Sequence, residues 1–311
     1  MKTILVVTNS RDLTVDYIIG KYGSEVSIYR YNVDRFDEYE ITFSNNGHFF
    51  TIANQHWCLN SSQISAVYYR KPELPDLSEY EEKFRYLMQR EIMAIVEGLV
   101  ETVGDVALTR PSILRRADNK ILQLQLAKKI GFSLPTSVIT NSVSSVQQLI
   151  NKTKAVVKPL SYGRIMDIKA KRLGIIQTNL VDPAANFESL ELSPAYFQYY
   201  IQKDMEIRAT IVGREVFAVQ INSSDPIDWR KQDAIIEYKP IQMPKEIVQK
   251  CFELMDELQL SFGAFDFIVH NGEYIFLEIN ANGQWLWLEE ATKLNISWAI
   301  INHLKGETIS E

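Results

Sequence analysis

The chain has 311 residues, 46% of them hydrophobic and 23% charged, which is enough to bury a full core and unlike either a disordered tail or a disulfide-stapled miniprotein. Its 33 Lys and Arg against 39 Asp and Glu leave a net charge of -6, which argues against nucleic-acid binding and requires any anionic ligand to be met by a local cluster of cations. Cys58 and Cys251 stand far apart without metal-ligand spacing, and no apolar run has signal-peptide or membrane-spanning length, so the expectation is a cytoplasmic protein without membrane contact.

Length alone suggests roughly two domains of about 150 residues each. Residues 4–8 read as a buried strand, 14–21 as a helix and 26–31 as a second strand, the opening of an α/β sheet that lacks the Gly-x-Gly-x-x-Gly turn of dinucleotide sites. Asn45-Asn46-Gly47 signals a hairpin between residues 39–44 and 48–53, and residues 65–70 form a strand that stops at Lys71-Pro72. Apolar residues at helical spacing from Tyr80 to Val103 give one long amphipathic helix, after which the first unit closes near Thr109. A helix is expected over 117–130, stopped by Gly131, then a strand over 137–140, a helix over 143–151 and a strand over 155–158. A polar loop, Ser161-Tyr162-Gly163-Arg164, leads into short strands through Ile176, and 179–194, with Asp182-Pro183 and Ser193-Pro194, reads as a mobile connection. Further strands are expected over 197–201, 206–212 and 216–222, a helix over 244–259, and two strands, 263–269 and 274–279, meeting at Asn271-Gly272.

Asp266 lies on one strand of that last pair, and Glu278 and Asn280, two apart, share a face of the other. A two-residue Asn-Gly turn would pair Asp266 with Leu277 and turn its carboxylate away; a three-residue His270-Asn271-Gly272 loop or a bulge restores the match. Two carboxylates and an amide among Phe265, Phe267 and Phe276 suit a hard cation, Mg²⁺ or Mn²⁺, completed by phosphates; the alternative is a solvated hairpin face. Lys158 at a strand end and Lys120 at a helix start are suited to phosphate oxygens, and backbone N–H groups of 161–164 could cover the same anion, although one glycine is a weak phosphate loop and both lysines could be plain surface residues. The run Gln198-Tyr199-Tyr200-Ile201 can present edge amides to a planar base, with Glu206 accepting from ribose hydroxyls.

This order of parts resembles the ATP-grasp ligases from about Pro111 to the C-terminus. The resemblance implies an α/β protein, α+β in the grasp, with an N-terminal α/β pre-ATP-grasp domain over 1–109, a central subdomain over 110–194 and a C-terminal one over 195–311. It implies that Lys120 and Lys158 bind the α and β phosphates of ATP under the Ser161 to Arg164 loop, with Gly163 in it. Gln198 and the Tyr200-Ile201 backbone would hold adenine, Glu206 the ribose, and Asp266, Glu278 and Asn280 two Mg²⁺ ions. Arg208 would stand near the transferred phosphoryl group.

Tyr68-Tyr69-Arg70-Lys71-Pro72, Asp118-Asn119-Lys120-Ile121-Leu122-Gln123-Leu124, Asp228-Trp229-Arg230 and Glu278-Ile279-Asn280-Ala281-Asn282-Gly283-Gln284-Trp285-Leu286-Trp287-Leu288-Glu289 resemble, more narrowly, the ATP-grasp maturases that close microviridin- and plesiocin-type macrocycles. Lys71 departs from the second arginine and Tyr68 from the Trp of many relatives, which bears on substrate details alone. The implied reaction phosphorylates a Glu or Asp side chain of a ribosomal precursor peptide, and a Thr or Ser hydroxyl or a Lys amine attacks the acylphosphate. Arg208 or Arg230 would steady the carboxylate, Arg70 and Phe187 would meet substrate, and a leader segment would dock near 165–194; a homodimer is also implied. The alternatives are a ligase that appends free amino acids and a non-catalytic ATP-binding module. Trp285 and Trp287 are expected on one strand face as core, and the four histidines at the surface or in turns.

Overall fold

The computed structural model describes residues 3–46, 49–161, 163–167, 172–223 and 236–306. Gly47 and His48 of the expected hairpin, Tyr162 of the polar loop, and Asp228, Trp229 and Arg230 lie outside the described residues.

The chain opens with β1 (Thr3–Thr8), α1 (Leu13–Tyr22) and β2 (Ile28–Asn32), then β3 (Glu40–Phe43), β4 (Phe50–Ala53), β5 (Cys58–Asn60), β6 (Ile64–Tyr69), α2 (Glu82–Thr102) and β7 (Val106–Leu108). β1, β2, β6 and β7 form a parallel sheet in the order β2-β1-β6-β7, and β3-β4-β5 form a small antiparallel one. All six residues of β1 are buried, as a strand covered on both faces demands. The three-residue strands β5 and β7 are too short to register as a period in the sequence.

The helix expected over 117–130 is α4 (Lys120–Ile130), which starts three residues later, and a separate short helix that the sequence pattern does not set apart, α3 (Pro111–Ala117), precedes it. The break falls at Asp118-Asn119, because Asn119 takes an extended conformation and its Oδ1 accepts from Leu122 N (3.1 Å), an N-cap that starts a new helix at Lys120.

The central part comprises β8 (Ser137–Thr140), α5 (Val143–Ile150), β9 (Ala155–Lys158), the hairpin β10 (Arg164–Asp167) and β11 (Arg172–Ile175), β12 (Asn179–Leu180) and β13 (Ala195–Tyr199). Its sheet runs β12-β9-β13-β8. The expected mobile connection is instead packed: β12 pairs with β9, Leu190 is buried, and the Phe187 ring stands edge-on to Phe197 at 6.1 Å. Its prolines and polar residues pointed to a loop, while Phe187 and Leu190, too sparse to make a period, fasten it to α5.

The C-terminal part comprises β14 (Met205–Val212), β15 (Glu215–Ser223), β16 (Ile236–Ile241), α6 (Lys245–Leu258), β17 (Phe262–His270), β18 (Glu273–Asn280), α7 (Leu286–Thr292) and α8 (Ile296–Lys305). Its antiparallel sheet runs β16-β15-β14-β17-β18. One face, with Ile207, Ala209, Phe265, Phe267, Phe276 and Ile279, joins the largest core together with residues of α4 and α6. The other face carries Arg208 and Asp266, and past them Val212 and Phe262 share a second core with α7, α8 and the N-terminal residues Val6, Ile18 and Tyr68. The N-terminal sheet and the C-terminal sheet are thus fused through one apolar layer.

Helices α7 and α8 correct the expected strand face of Trp285 and Trp287. Trp285 precedes α7, is 0% exposed, and donates from Nε1 to Tyr68 Oη (3.2 Å), whereas Trp287 lies on the helix against Tyr238. At this junction the Glu289 carboxylate accepts from Ser297 N and Oγ (both 2.6 Å), Tyr17 Oη (2.7 Å) and Lys21 Nζ (2.9 Å). Burial alone would raise its pKa, but hydrogen bonds from Ser297, Lys21 and Tyr17 outweigh that and hold it below the ordinary carboxylate value. A depressed carboxylate contributes stability above its unfolded value and loses it as pH falls through the folded one. We therefore expect Glu289→Gln to cost about 2 kcal/mol in urea unfolding at neutral pH. The deficit should shrink at about pH 3, below the ordinary carboxylate range; an equal deficit at both pH values would show that the charge contributes nothing.

Candidate functional site

β17 and β18 are joined by Asn271-Gly272, both with positive φ (50° and 80°), a two-residue turn that pairs His270 with Glu273. The three-residue loop does not form. Carried through unbroken, this register would set Asp266 against Leu277, on the face away from Glu278. A β-bulge prevents that: Phe267 pairs with Phe276, Asp266 pairs with Glu278, and Leu277 is the extra residue. The bulge follows from the apolar spacing, since Phe276 and Ile279 both reach the core although an odd number of positions separates them.

Asp266, Glu278 and Asn280 consequently share one face. Asn280 Nδ2 donates to Asp266 Oδ2 and to Glu278 Oε1, each at 3.1 Å. Lys120 Nζ, at the first position of α4, donates to Glu278 Oε2 (2.7 Å). Arg208, directly opposite Asp266 across β14 and β17, donates from Nη1 to both carboxylate oxygens (2.8 and 2.7 Å). Nearby, the Asp118 carboxyl is pushed up by burial, with Lys120 opposing and Glu278 adding to the shift. Two carboxylates thus sit between two cations.

The donor set fits a hard divalent cation. It holds oxygen donors and no His or Cys, and among the described residues no group of three or more His, Cys, Asp or Glu could hold a metal, so the third protein ligand falls to an amide. Asn280 meets that need once its amide turns Oδ1 towards the carboxylate pair, and Mg²⁺ completes such a set with water and phosphate oxygens.

β13, whose Tyr196 hydroxyl feels the Glu278 carboxylate, carries the first of the nucleotide candidates. Gln198 is 5% exposed and its Oε1 is a buried acceptor with no protein partner, the kind of orphan that a ligand amine satisfies. Tyr200 N already donates to the Lys154 carbonyl (2.9 Å), so an edge contact to a base falls to the Tyr200 carbonyl and Ile201 N–H. Glu206 pairs with Lys203 where β14 begins. Lys158 lies opposite Tyr196 with Nζ 6.0 Å from its ring centre, and the Tyr196 hydroxyl, raised first by burial, also feels the Glu278 carboxylate. Ser161 is exposed, and Gly163 accepts from Ile176 N (2.6 Å) in a turn so tight that a Cβ would stand 2.8 Å from both Ile176 O and Pro159 Cγ. A buried unpartnered acceptor, a free backbone edge and a lysine at a strand end are groups whose chemistry suits a nucleoside triphosphate.

Arg70 is placed elsewhere than the sequence suggested. It is 1% exposed, with Nε on Asp12 (2.8 Å), Nη1 on Tyr68 Oη (3.2 Å) and Nη2 on Thr14 Oγ1 (2.8 Å) and Gln284 Oε1 (2.6 Å), so its guanidinium braces protein and presents no open face to a substrate. Phe187 is half-buried in the core beside α5. The stretch after β18 supplies residues to which the sequence pattern alone assigns no role. Asn282 Nδ2 donates to the Arg70 carbonyl, and the Gln284 carbonyl accepts from Arg208 Nη2 (3.4 Å). A Cβ on Gly283 would fall 2.6 Å from both Arg208 Nη2 and Ala264 Cβ, so glycine is what lets this loop pass over the arginine. The parallel sheet reverses its strand order between β1 and β6, the place where open α/β sheets usually bind ligands, and here Asn282 and Gln284 reach the chain just beyond β6.

Residues 3–113 match the family model described as MvdD pre-ATP grasp domain, and residues 117–304 match that described as RimK-like ATP-grasp domain. Among solved structures, the chain is similar to the macrocyclase MdnC from Microcystis aeruginosa MRC bound with precursor peptide MdnA, at 30% identity over 98% of this chain and 99% of that one, with a TM-score of 0.88. It is equally similar to a RiPP-associated ATP-grasp ligase of Chryseobacterium gregarium in complex with ADP and a leader and core peptide, at 30% identity, 99% and 98% coverage and a TM-score of 0.88. The macrocyclase MdnB from Microcystis aeruginosa MRC follows at 26% identity, 98% and 99% coverage and 0.81. No curated protein matches the chain. No described helix is long and apolar enough to cross a membrane.

Proposed function

Since the chain belongs to the RimK-like ATP-grasp family and carries an MvdD-type pre-ATP-grasp domain, we propose that it is an ATP-dependent ligase that closes macrocycles in a ribosomally made precursor peptide. The observation that carries the reading is the shared face of Asp266, Glu278 and Asn280, flanked by Lys120 and Arg208. The peptide as substrate is supported by the complexes of MdnC with its precursor and of the Chryseobacterium ligase with leader and core.

The γ-phosphoryl group of ATP passes to a Glu or Asp side chain of the core, giving an acylphosphate and ADP. A Thr or Ser hydroxyl, or a Lys amine, attacks the acyl carbon; the ester or amide forms and inorganic phosphate leaves. Lys120 and Lys158 hold the polyphosphate beneath the Ser161 to Arg164 loop, Gln198 and the Tyr200-Ile201 backbone hold the base, and Glu206 takes the ribose. Mg²⁺, two ions in our reading, would be held by Asp266, Glu278 and Asn280 and would neutralise charge on the transferring group. Arg208, with Arg230 beside it in role, steadies the substrate carboxylate as it is phosphorylated. A leader segment docks near 165–194, where a cavity of about 380 Å³ beside α5 is lined by Phe187, Val143 and Gln147. The enzyme works in the cytoplasm as a homodimer, a mass that light scattering reads directly.

Intact-mass measurement after incubation of a candidate precursor with ATP and Mg²⁺ tests the reading. Loss of one water per bond is expected. Gain of an amino-acid residue would replace the proposal by a ligase that appends amino acids, and nucleotide binding without any mass change by a non-catalytic module.

A further inference from the structure

Helix α4 grips β18 at two points. Lys120 reaches Glu278, and Gln123, three positions on and therefore on the same helix face, lies against the backbone of the next residue, Ile279. Gln123 is 1% exposed and its whole amide is committed: Nε2 donates to the Ala117 carbonyl (2.6 Å) and the Ile279 carbonyl (2.9 Å), and Oε1 accepts from Ile279 N (3.3 Å). Among the described residues β18 is the edge strand of its sheet, and no described strand pairs with Ile279 on that side. A single side chain supplies both hydrogen bonds that a neighbouring strand would have made.

The position of this contact matters. Ile279 stands between Glu278 and Asn280, and it lies beyond the bulge at Leu277, where the register is no longer dictated by the Asn271-Gly272 turn. We propose that Gln123 is a positioning residue for the metal ligands: by pinning Ile279 it fixes Glu278 and Asn280 relative to Lys120, and with them the spacing between the lysine-held phosphate and the cation. The inference rests on the metal and nucleotide reading given above. A purely structural Gln123 would satisfy the same backbone groups but leave metal affinity in the folded protein unchanged.

The test measures ADP binding by calorimetry while Mg²⁺ is titrated, in the wild type, in Gln123→Leu and in Gln123→Asn, which keeps the amide but shortens its reach and serves if the leucine variant does not fold. Hydrogen exchange at the Ile279 amide is followed in parallel. In the variants we expect ADP affinity without Mg²⁺ to stay within about twofold, while the Mg²⁺ concentration for half-maximal enhancement rises about tenfold, the usual range for loss of a partner behind a metal ligand. Ile279 N–H should lose protection. A folded variant whose Mg²⁺ dependence equals that of the wild type, even with a lowered Tm, overturns the inference and leaves the metal site standing. Wild-type ADP binding indifferent to Mg²⁺ overturns the metal reading itself, and this inference with it.

Discussion

Glu278→Gln is expected to abolish ATP-dependent dehydration of the precursor while the protein stays folded. The two side chains are nearly isosteric, and the lost ion pair with Lys120 is partly solvated, with side chains 18% and 27% exposed, so the stability cost is about 1 kcal/mol or less. The chemical cost is larger, because one of the two carboxylates that would face the cation becomes a neutral amide. Loss of about 3 kcal/mol of transition-state charge stabilisation corresponds to a rate reduced by more than about a hundredfold. Single-turnover mass measurement at saturating Mg²⁺ reads this directly, with Mg²⁺-free ADP binding as the control for an intact nucleotide pocket. Substantial ring formation by the variant would remove Glu278 from the metal role.

Arg208→Gln should act on stability before it acts on rate. The Arg208 and Asp266 side chains are 6% and 13% exposed, and both carboxylate oxygens accept from Nη1, so removing the guanidinium strands a largely buried charge. Breaking such a pair from one side costs about 3 kcal/mol or more. If Asp266 is a metal ligand, Mg²⁺ with ADP restores a positive charge beside it, and the stabilisation gained on adding Mg²⁺ and ADP should be greater in the variant than in the wild type. Urea unfolding with and without the ligand pair measures both quantities; an equal gain in the two proteins would sink the assignment of Asp266. Arg208→Lys keeps the charge but loses the Nη2 contact to the Gln284 carbonyl, and should fall between them.

The elements around this site differ in how far the sequence alone reveals them. The apolar run of β1, the long stripe of α2 and the strands holding Asp266 and Glu278 could be read from the sequence because local periodicity carries them. The shared face was legible only as a condition, a longer loop or a bulge, and the bulge at Leu277 met it. Helix α7 was misread because Trp285 and Trp287 alternate like a strand over a window too short for a helical period, and burial of Trp285 against Tyr68 settled the matter from outside the segment. The roles of Arg70 and Gln123 were beyond local reasoning altogether. Arg70 bonds to Gln284, 214 positions away, and Gln123 to Ile279, 156 away, and both are polar residues that tertiary packing buries against the usual preference.

The contact of Asn282 and Gln284 with the chain just beyond β6 has a consequence for anyone recombining these enzymes. Arg70 and Gln284 are a lock and its key lodged in opposite halves of the gene, and the Gln284 carbonyl also touches Arg208. A chimera joined near residue 113, where the two family models meet, would take the lock from one parent and the key from the other. The functional seam therefore differs from the visible one: residues 282–285, which reach Arg70 and Tyr68, should travel with the N-terminal half, and a swap that leaves them behind would disturb Arg208 even with Asp266, Glu278 and Asn280 intact.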